Sequence, residues 1–152
     1  EFDGTTCYRL TNSFQDREKA LDIAAYSNKA TMVFTRDYSK QCWYITSLGD
    51  DYYRLTNKYK GEGKSLTYMP SSLTIEFAPT SDEAGQYWKL LKSTDDTYTY
   101  RLTNKLNDGQ MWVDIVNTGT ASSSSDLTMT EWGPYSGQFW KIESFTCGDY
   151  CN

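Results

Sequence analysis

The chain has 152 residues and a formal net charge of -5 at pH 7, with 16% aromatic residues and no histidine. This length predicts one globular domain, and no apolar run approaches the ~20 residues of a transmembrane helix. Without histidine, Ser-His-Asp triads and His-ligated zinc or haem sites are excluded. The negative charge argues against duplex nucleic acid or an anionic membrane as partners, since both attract faces rich in Lys and Arg.

Read from the N-terminus, the sequence repeats three markers three times in the same order. The first is Tyr-Arg-Leu-Thr-Asn, the second is a short triplet whose centre lies 14 residues after that tyrosine, and the third is Gln-x-Trp. They occupy residues 8–12, 21–23 and 41–43, then 53–57, 66–68 and 86–88, then 100–104, 113–115 and 138–140. The third copy is longer at the Ser122–Ser125 run, which predicts an extended polar loop. One structural unit of about 45 residues is therefore present three times.

Each unit predicts four short strands. The first marker alternates apolar and polar residues, as a half-buried strand does. The triplet and a second alternating segment, such as Met32–Phe34, predict the next two strands, and the fourth begins at the Trp of Gln-x-Trp. Breakers such as Gly61–Gly63 fall between them as turns. We expect the three tryptophans to lie in the core.

Three four-stranded units predict an all-β fold, the β-trefoil, because a β-propeller needs at least four blades. In a β-trefoil, six strands close a barrel that three hairpins cap, with pseudo-threefold symmetry. We expect a single domain over residues 1–152, with repeats at about 7–48, 52–93 and 99–145 and a C-terminal tail at 146–152.

The four cysteines, Cys7, Cys42, Cys147 and Cys151, form no Cys-x-x-Cys pair, and their even number indicates disulfides and hence a secreted, extracellular protein. In the expected barrel the last strand pairs with the first, which places Cys147 near Cys7. We therefore favour the pairs Cys7–Cys147 and Cys42–Cys151, while the sequence leaves all three possible pairings open.

With Gln-x-Trp in every copy and a Leu-Asp-Val-like strand upstream, residues 8–145 resemble the ricin B-type (R-type) lectin family. The similarity is greatest to its secreted fungal and microbial members, through Lys64–Leu66, Gly85–Leu90 and Tyr135–Ile142. The resemblance implies a β-trefoil that binds glycans, often galactose-type, in up to one shallow pocket per repeat. It implies no enzymatic activity and no cofactor. In such pockets an Asp accepts hydrogen bonds from sugar hydroxyls, an aromatic ring stacks on the sugar, and the Gln-x-Trp region adds polar contacts.

Carried onto this sequence, the pocket aspartate corresponds to Asp22 and Asp114, whereas the second repeat has Thr67. A carboxylate accepts two charge-assisted hydrogen bonds and a threonine hydroxyl cannot, so we expect the second site to be lost. The expected carbohydrate-binding residues are Asp114, Asn117, Trp132, Tyr135 and Gln138 in the third repeat, and Asp22, Phe34, Tyr38 and Gln41 in the first.

Structural explanations compete with these roles. Gln41 and Gln138 are better explained as structural, because the second repeat keeps its Gln86. For Asp22 and Asp114, a sugar contact and a local strand-end hydrogen bond stay open. Two other functions stay open as well: a β-trefoil protease inhibitor acting through the Ser122–Ser125 or Gly61–Gly63 loop, and a toxin or host-interaction protein on a lectin scaffold. For the lectin, the expected partners are glycans or glycoconjugates, bound by a monomer or weak homodimer.

Overall fold

The computed structural model describes residues 2–24, 26–92, 97–107, 109–148 and 151, and these residues form an all-β structure. The twelve strands are β1 Tyr8–Asn12, β2 Asp16–Ile23, β3 Ala30–Phe34, β4 Trp43–Gly49, β5 Tyr52–Asn57, β6 Lys64–Met69, β7 Thr74–Pro79, β8 Trp88–Lys92, β9 Tyr100–Asn104, β10 Met111–Ile115, β11 Leu127–Glu131 and β12 Trp140–Ser144. One-turn 3-10 helices at Ser39–Gln41, Ala84–Gln86 and Ser136–Gln138 precede β4, β8 and β12. No helix in the described part of the chain is long and apolar enough to cross a membrane.

The strands assemble as the sequence predicts. The first and fourth strands of each repeat pair antiparallel around a closed ring, in the order β1, β4, β5, β8, β9 and β12, and β12 returns to β1. The second and third strands form the hairpins β2–β3, β6–β7 and β10–β11, which contact one another through β3, β7 and β11. The expected β-trefoil is confirmed.

The Gln-x-Trp tryptophans form the centre of the core. Trp43, Trp88 and Trp140 are fully buried, and each indole N–H donates to a main-chain carbonyl of its own repeat's second strand. The acceptors are the carbonyl oxygens of Leu21 at 2.9 Å, Leu66 at 2.9 Å and Val113 at 3.2 Å. Each tryptophan therefore fills the interior while its polar atom is satisfied, which fixes the hairpin against the barrel.

A single ring, Phe2, packs where β1, β5 and β9 begin. Its centroid lies 5.1 Å from that of Tyr8, 5.6 Å from Tyr53 and 5.9 Å from Tyr100. The tyrosine of the first marker is therefore a packing residue in all three repeats, since one aromatic side chain contacts the three equivalent rings.

The disulfides differ from the expected pairs. Cys7 is bonded to Cys42 and Cys147 to Cys151, with Cα atoms 5.1 Å and 5.4 Å apart. The favoured pairs Cys7–Cys147 and Cys42–Cys151 are wrong. Strands β1 and β4 meet at Tyr8 and Trp43, which directly follow Cys7 and Cys42, so these two cysteines come together within the first repeat. The chain after β12 does reach Cys7, whose carbonyl accepts from the Phe145 amide at 3.0 Å, but Cys147 lies beyond that contact and bonds within the tail.

Candidate functional site

The third repeat opens a cavity of about 280 Å³ beside Asp114, near the end of β10. Its lining comprises Phe14, Asp114, Ile115, Asn117, Tyr135, Ser136 and Gly137. Three of the expected site residues, Asp114, Asn117 and Tyr135, thus meet at one cavity. Phe14, Ser136 and Gly137 are additional residues that the sequence analysis missed.

Asp114 is 9% exposed and is held by three hydrogen bonds from its own repeat. Its Oδ1 accepts from the Ile115 amide at 2.7 Å, and its Oδ2 accepts from Thr130 Oγ1 at 2.7 Å and from Gln138 Nε2 at 3.4 Å. A carboxylate offers about four acceptor positions, so Asp114, which uses three, can still accept a hydrogen bond from a molecule in the cavity. Thr130 was not expected here; it lies diagonally across from Asp114 in the β10–β11 pairing, where side chains share a face.

Gln138 lies behind Asp114 and is fully buried. Its Nε2 donates to Thr130 Oγ1 at 2.8 Å and to the Glu131 carbonyl at 2.7 Å, while its Oε1 accepts from Arg101 Nη1 at 2.8 Å. Burial lowers the pKa of Arg101, and the nearby Asp114 carboxylate opposes that shift. Gln138 therefore orients Asp114 and does not line the cavity.

Two exposed aromatic side chains lie before Gln138, and the structure separates their surroundings. Tyr135 is 62% exposed, lines the cavity, and rests its ring on Gly133, where a Cβ atom would overlap the ring. Trp132 is similarly exposed but stands over the Arg101 guanidinium, 4.8 Å from it, and is not part of the cavity lining. Of the two rings, Tyr135 is thus the one that lines the cavity with Asp114.

A second aromatic residue of the lining, Phe14, comes from the first repeat. Asn12, the last residue of the first Tyr-Arg-Leu-Thr-Asn marker, donates from Nδ2 to the Gly137 carbonyl at 2.8 Å and accepts from the Phe14 amide at 3.0 Å. Phe14 is thereby placed against the third repeat's pocket. Gly137 is required by close approach, because a Cβ atom there would overlap Asp114 Oδ1.

Asn117 borders the same cavity just after β10. Its Oδ1 accepts from the Gly119 amide at 2.8 Å, which is an Asx turn that orients the side chain at the start of the loop. The loop that follows is compact. Ser124 Oγ donates to the Thr120 carbonyl at 2.7 Å, and the Ser124 carbonyl accepts from the Gln15 and Lys19 side chains. The Ser122–Ser125 run therefore folds back on the molecule.

The first repeat places its residues differently. Asp22 is 0% exposed, its Oδ1 accepts from the Ile23 amide at 2.5 Å, and its Oδ2 accepts from Gln41 Nε2 at 3.0 Å and from the Tyr38 hydroxyl. Burial, followed by the hydrogen bond to Asp22, raises the pKa of Tyr38. Asp22, Tyr38 and Gln41 are brought together, but as an internal network.

A cavity of about 500 Å³ does lie beside this network, yet Asp22, Phe34 and Tyr38 do not line it. Lys40, at the position of Gly137, lines it together with Tyr59, and its Nζ stands 4.9 Å from the Tyr59 ring. Phe34 is exposed elsewhere, with Lys19 Nζ 5.4 Å from its ring.

The second repeat has no carboxylate at this position. Thr67 Oγ1 donates to the Ser65 carbonyl at 2.9 Å. Leu106, at the position of Phe14, lies so close that a Cβ atom on Gly85 would be 3.3 Å from its side chain. Within the described part of the chain, no group of three or more Cys, Asp or Glu side chains could hold a metal ion.

No protein-family model and no curated protein sequence matches this chain. Among solved structures, it is similar to a mosquitocidal holotoxin (TM-score 0.77, 20% identity, 93% of this chain) and to the designed threefold-symmetric protein ThreeFoil (0.70, 23%, 90%). It is also similar to SeviL bound to the asialo-GM1 saccharide (0.66, 17%, 91%). The chain spans 17% of the holotoxin but 96% of both ThreeFoil and SeviL. These likenesses show the fold.

Proposed function

We propose that this protein is a non-catalytic carbohydrate-binding protein, a lectin, that binds a neutral sugar of the galactose type in the third-repeat pocket. The observation that carries the proposal is the Asp114 carboxylate, which borders a small cavity that Tyr135 and Phe14 also line. The carboxylate accepts a hydrogen bond from a sugar hydroxyl, and the rings pack against the apolar faces of the pyranose.

The size of the pocket fits one sugar ring that stays partly in solvent. At about 280 Å³ the cavity lies just below the ~300–1,000 Å³ of pockets that enclose drug-sized ligands. Few buried contacts give weak binding, and a Kd near 1 mM corresponds to only about -4 kcal/mol. Useful affinity then comes from several copies of the protein, or several sugars, meeting on one glycan surface.

Binding, rather than hydrolysis, follows from the number of carboxylates. Glycoside hydrolysis uses two carboxyl groups on either side of the scissile bond. Of the described residues that line the pocket, Asp114 alone carries a carboxylate.

Other observations agree with this proposal. SeviL, which shares the fold, was solved with a bound saccharide, so a β-trefoil of this length is compatible with sugar binding. The two disulfides fit an extracellular protein that meets glycans outside the cell. Because the Asp22 carboxylate is enclosed, we limit the proposal for direct sugar contact to the third repeat.

The test is binding of the native chain to a glycan array, followed by calorimetry with the best neutral glycan. Asp114→Asn removes the charge and one acceptor, so we expect affinity to fall by about tenfold or more. Asp126→Asn, an exposed carboxylate in the same repeat, is the matched control and should bind like the native chain. Equal binding by native protein and Asp114→Asn, or no glycan bound on the array, would refute the proposal.

A further inference from the structure

The barrel wall where β4 of the first repeat pairs with β5 of the second contains a larger cavity, of about 680 Å³, which shares no residue with the Asp114 pocket. Its lining includes Tyr44, Thr46, Arg54, Thr56, Lys58 and Glu62. In the β4–β5 pairing Tyr44 lies opposite Thr56, and Thr46 lies opposite Arg54. These four side chains alternate along their strands, so the sheet presents them on one face toward the cavity.

Three hydroxyl groups in this cavity lack internal partners. The hydroxyls of Tyr44, Thr46 and Thr56 form no hydrogen bond with other described residues, and Thr56 is 7% exposed. Because these hydroxyls line the cavity without an internal partner, all three are available to a bound polar molecule. Each hydroxyl both donates and accepts, which complements the hydroxyls of a sugar.

The arginine of the Tyr-Arg-Leu-Thr-Asn marker distinguishes this cavity. In the other two repeats, the equivalent guanidinium contacts a carboxylate or aromatic rings. In the first repeat Arg9 Nη2 binds Asp37 Oδ1 at 2.6 Å, and the guanidinium lies 3.9 Å from the Phe145 ring centroid. In the third repeat, Arg101 is surrounded by rings. They are those of Phe139 at 4.2 Å, Trp132 at 4.8 Å and Trp112 at 5.9 Å.

Arg54 has neither an ion pair with a carboxylate nor an aromatic ring against its guanidinium among the described residues. It donates to the neutral acceptors Gln86 Oε1 at 2.6 Å and the Ser81 carbonyl at 3.0 Å, and no ring or carboxylate contacts its guanidinium. Asp82 stands at the position of Asp37, but its carboxylate accepts from the Tyr87 hydroxyl instead. The first repeat thus shows which group completes this arginine: a carboxylate, which matches the planar guanidinium fork.

We infer that this cavity is a second binding site, for a saccharide that carries a carboxylate, such as a uronic acid. Arg54 binds the carboxylate, and the hydroxyls of Tyr44, Thr46 and Thr56 bind the sugar hydroxyls. With Lys58 and Arg54 against Glu62, the lining carries one positive charge in excess, which favours an acid over a neutral sugar. A peptide carboxylate is less suited, since none of the lining side chains is aliphatic and a peptide needs apolar pockets for its side chains.

The test is an NMR titration of the native chain with galacturonate, its methyl ester and acetate in low-salt buffer. Galacturonate should perturb residues of the β4–β5 wall and bind about tenfold more tightly than either the ester or acetate, because only galacturonate has both the carboxylate and the hydroxyls. Equal binding of the ester, equal binding of acetate, or no binding overturns the inference.

Variants separate this site from the Asp114 pocket. Arg54→Lys keeps the charge but loses the planar guanidinium fork, and Thr56→Val replaces the hydroxyl that lines the cavity with a methyl group of similar size. Each should weaken galacturonate binding by about tenfold and leave neutral-glycan binding unchanged, with a native-like NMR spectrum as the check on folding. Asp114→Asn should have the opposite pattern. If galacturonate binding is lost in Asp114→Asn, or survives in both wall variants, the site is not at Arg54.

Discussion

Asp22 and Asp114 occupy equivalent places in the first and third repeats, yet the structure gives them opposite surroundings. Each accepts from the next residue's amide and from the glutamine of Gln-x-Trp. Asp22 is sealed by the Tyr38 hydroxyl, whereas Asp114 borders a cavity that Tyr135, the counterpart of Tyr38, also lines.

Two glycines explain the difference. Gly133 leaves room for the Tyr135 ring to lie on the main chain, and its counterpart in the first repeat is Arg36. Gly137 leaves room for the Asp114 carboxylate, and its counterpart is Lys40. An aspartate in the repeat is therefore insufficient to define an open pocket, because Gly133, before the 3-10 helix Ser136–Gln138, and Gly137, within that helix, leave the space beside the carboxylate.

The largest effect should come from Gly137→Lys, which gives the third repeat the first repeat's residue. The new Cβ atom overlaps Asp114 Oδ1 and the side chain enters the cavity, so we expect glycan affinity to fall by about 100-fold, or about 2.7 kcal/mol. Calorimetry with the best array glycan measures it. Gly148→Lys adds the same charge where a Cβ atom meets nothing within 4 Å, and should bind normally. Native affinity in Gly137→Lys would remove Gly137 from the explanation.

Asp22→Asn should act on stability rather than on binding. The amide group would place a donor where Gln41 Nε2 and Tyr38 now donate, and an unsatisfied buried group costs about 1–3 kcal/mol. We expect urea unfolding to show a free-energy loss of that size, with glycan affinity unchanged. A variant that loses binding while keeping native stability would instead make Asp22 a ligand contact.

Gly133→Arg should have a smaller effect on binding than Gly137→Lys. The side chain displaces the Tyr135 ring, so we expect about a tenfold loss of affinity through one lost ring contact. A double-mutant cycle with Tyr135→Ala tests whether the loss of affinity arises from displacement of the Tyr135 ring. If the loss passes through Tyr135, the double variant binds like Tyr135→Ala alone; additive losses would contradict it.

The smallest effect concerns alkaline pH. Burial raises the pKa of Tyr38, and burial with the Asp16 hydrogen bond raises the pKa of Tyr98 to about 12. A raised pKa in the folded state stabilises the fold fully below the unfolded pKa of about 10, and that contribution is lost as pH rises through the folded pKa. Stability should therefore decline above pH 10. The decline should be less steep in Tyr38→Phe, in which only the contribution of Tyr98 is lost with rising pH. Urea midpoints at pH 9, 10 and 11 measure this, and parallel curves for the two proteins would contradict it.

The sequence was sufficient for the fold because its signal is repeated. Three copies of Tyr-Arg-Leu-Thr-Asn and Gln-x-Trp predict strand order, the barrel and the buried tryptophans, since the tyrosine of the first marker and the tryptophan of Gln-x-Trp pack alike in each repeat. The disulfides were predicted wrongly. The pairing of β1 with β4 within the first repeat decides the partner of Cys7, whereas the prediction rested on the pairing of the last strand with the first.

The sequence was less informative for the pocket because two of its parts are not local. Asp114, Asn117 and Tyr135 lie in one repeat and were predicted, whereas Phe14 arrives from another repeat through Asn12. Gly133 and Gly137 contribute by the absence of a side chain, which a search for chemical groups overlooks. Both repeats have a tyrosine at this position, so the sequence does not show that Tyr38 donates to Asp22 while Tyr135 lines a cavity.

The bond between Cys7 and Cys42 closes residues 7–42 into a covalent ring that contains the first three strands of the first repeat, since the two cysteines are 35 residues apart. In the chain-entropy description a ring of this size contributes roughly 4 kcal/mol to stability. A protease that cuts once between residues 8 and 41 therefore releases no fragment, and the cut becomes visible only after reduction. A cut in the second repeat has no such bond across it, so the two halves separate on unfolding. The repeat whose carboxylate is sealed is thus also the one in which a single cut before Cys42 leaves the two pieces covalently joined.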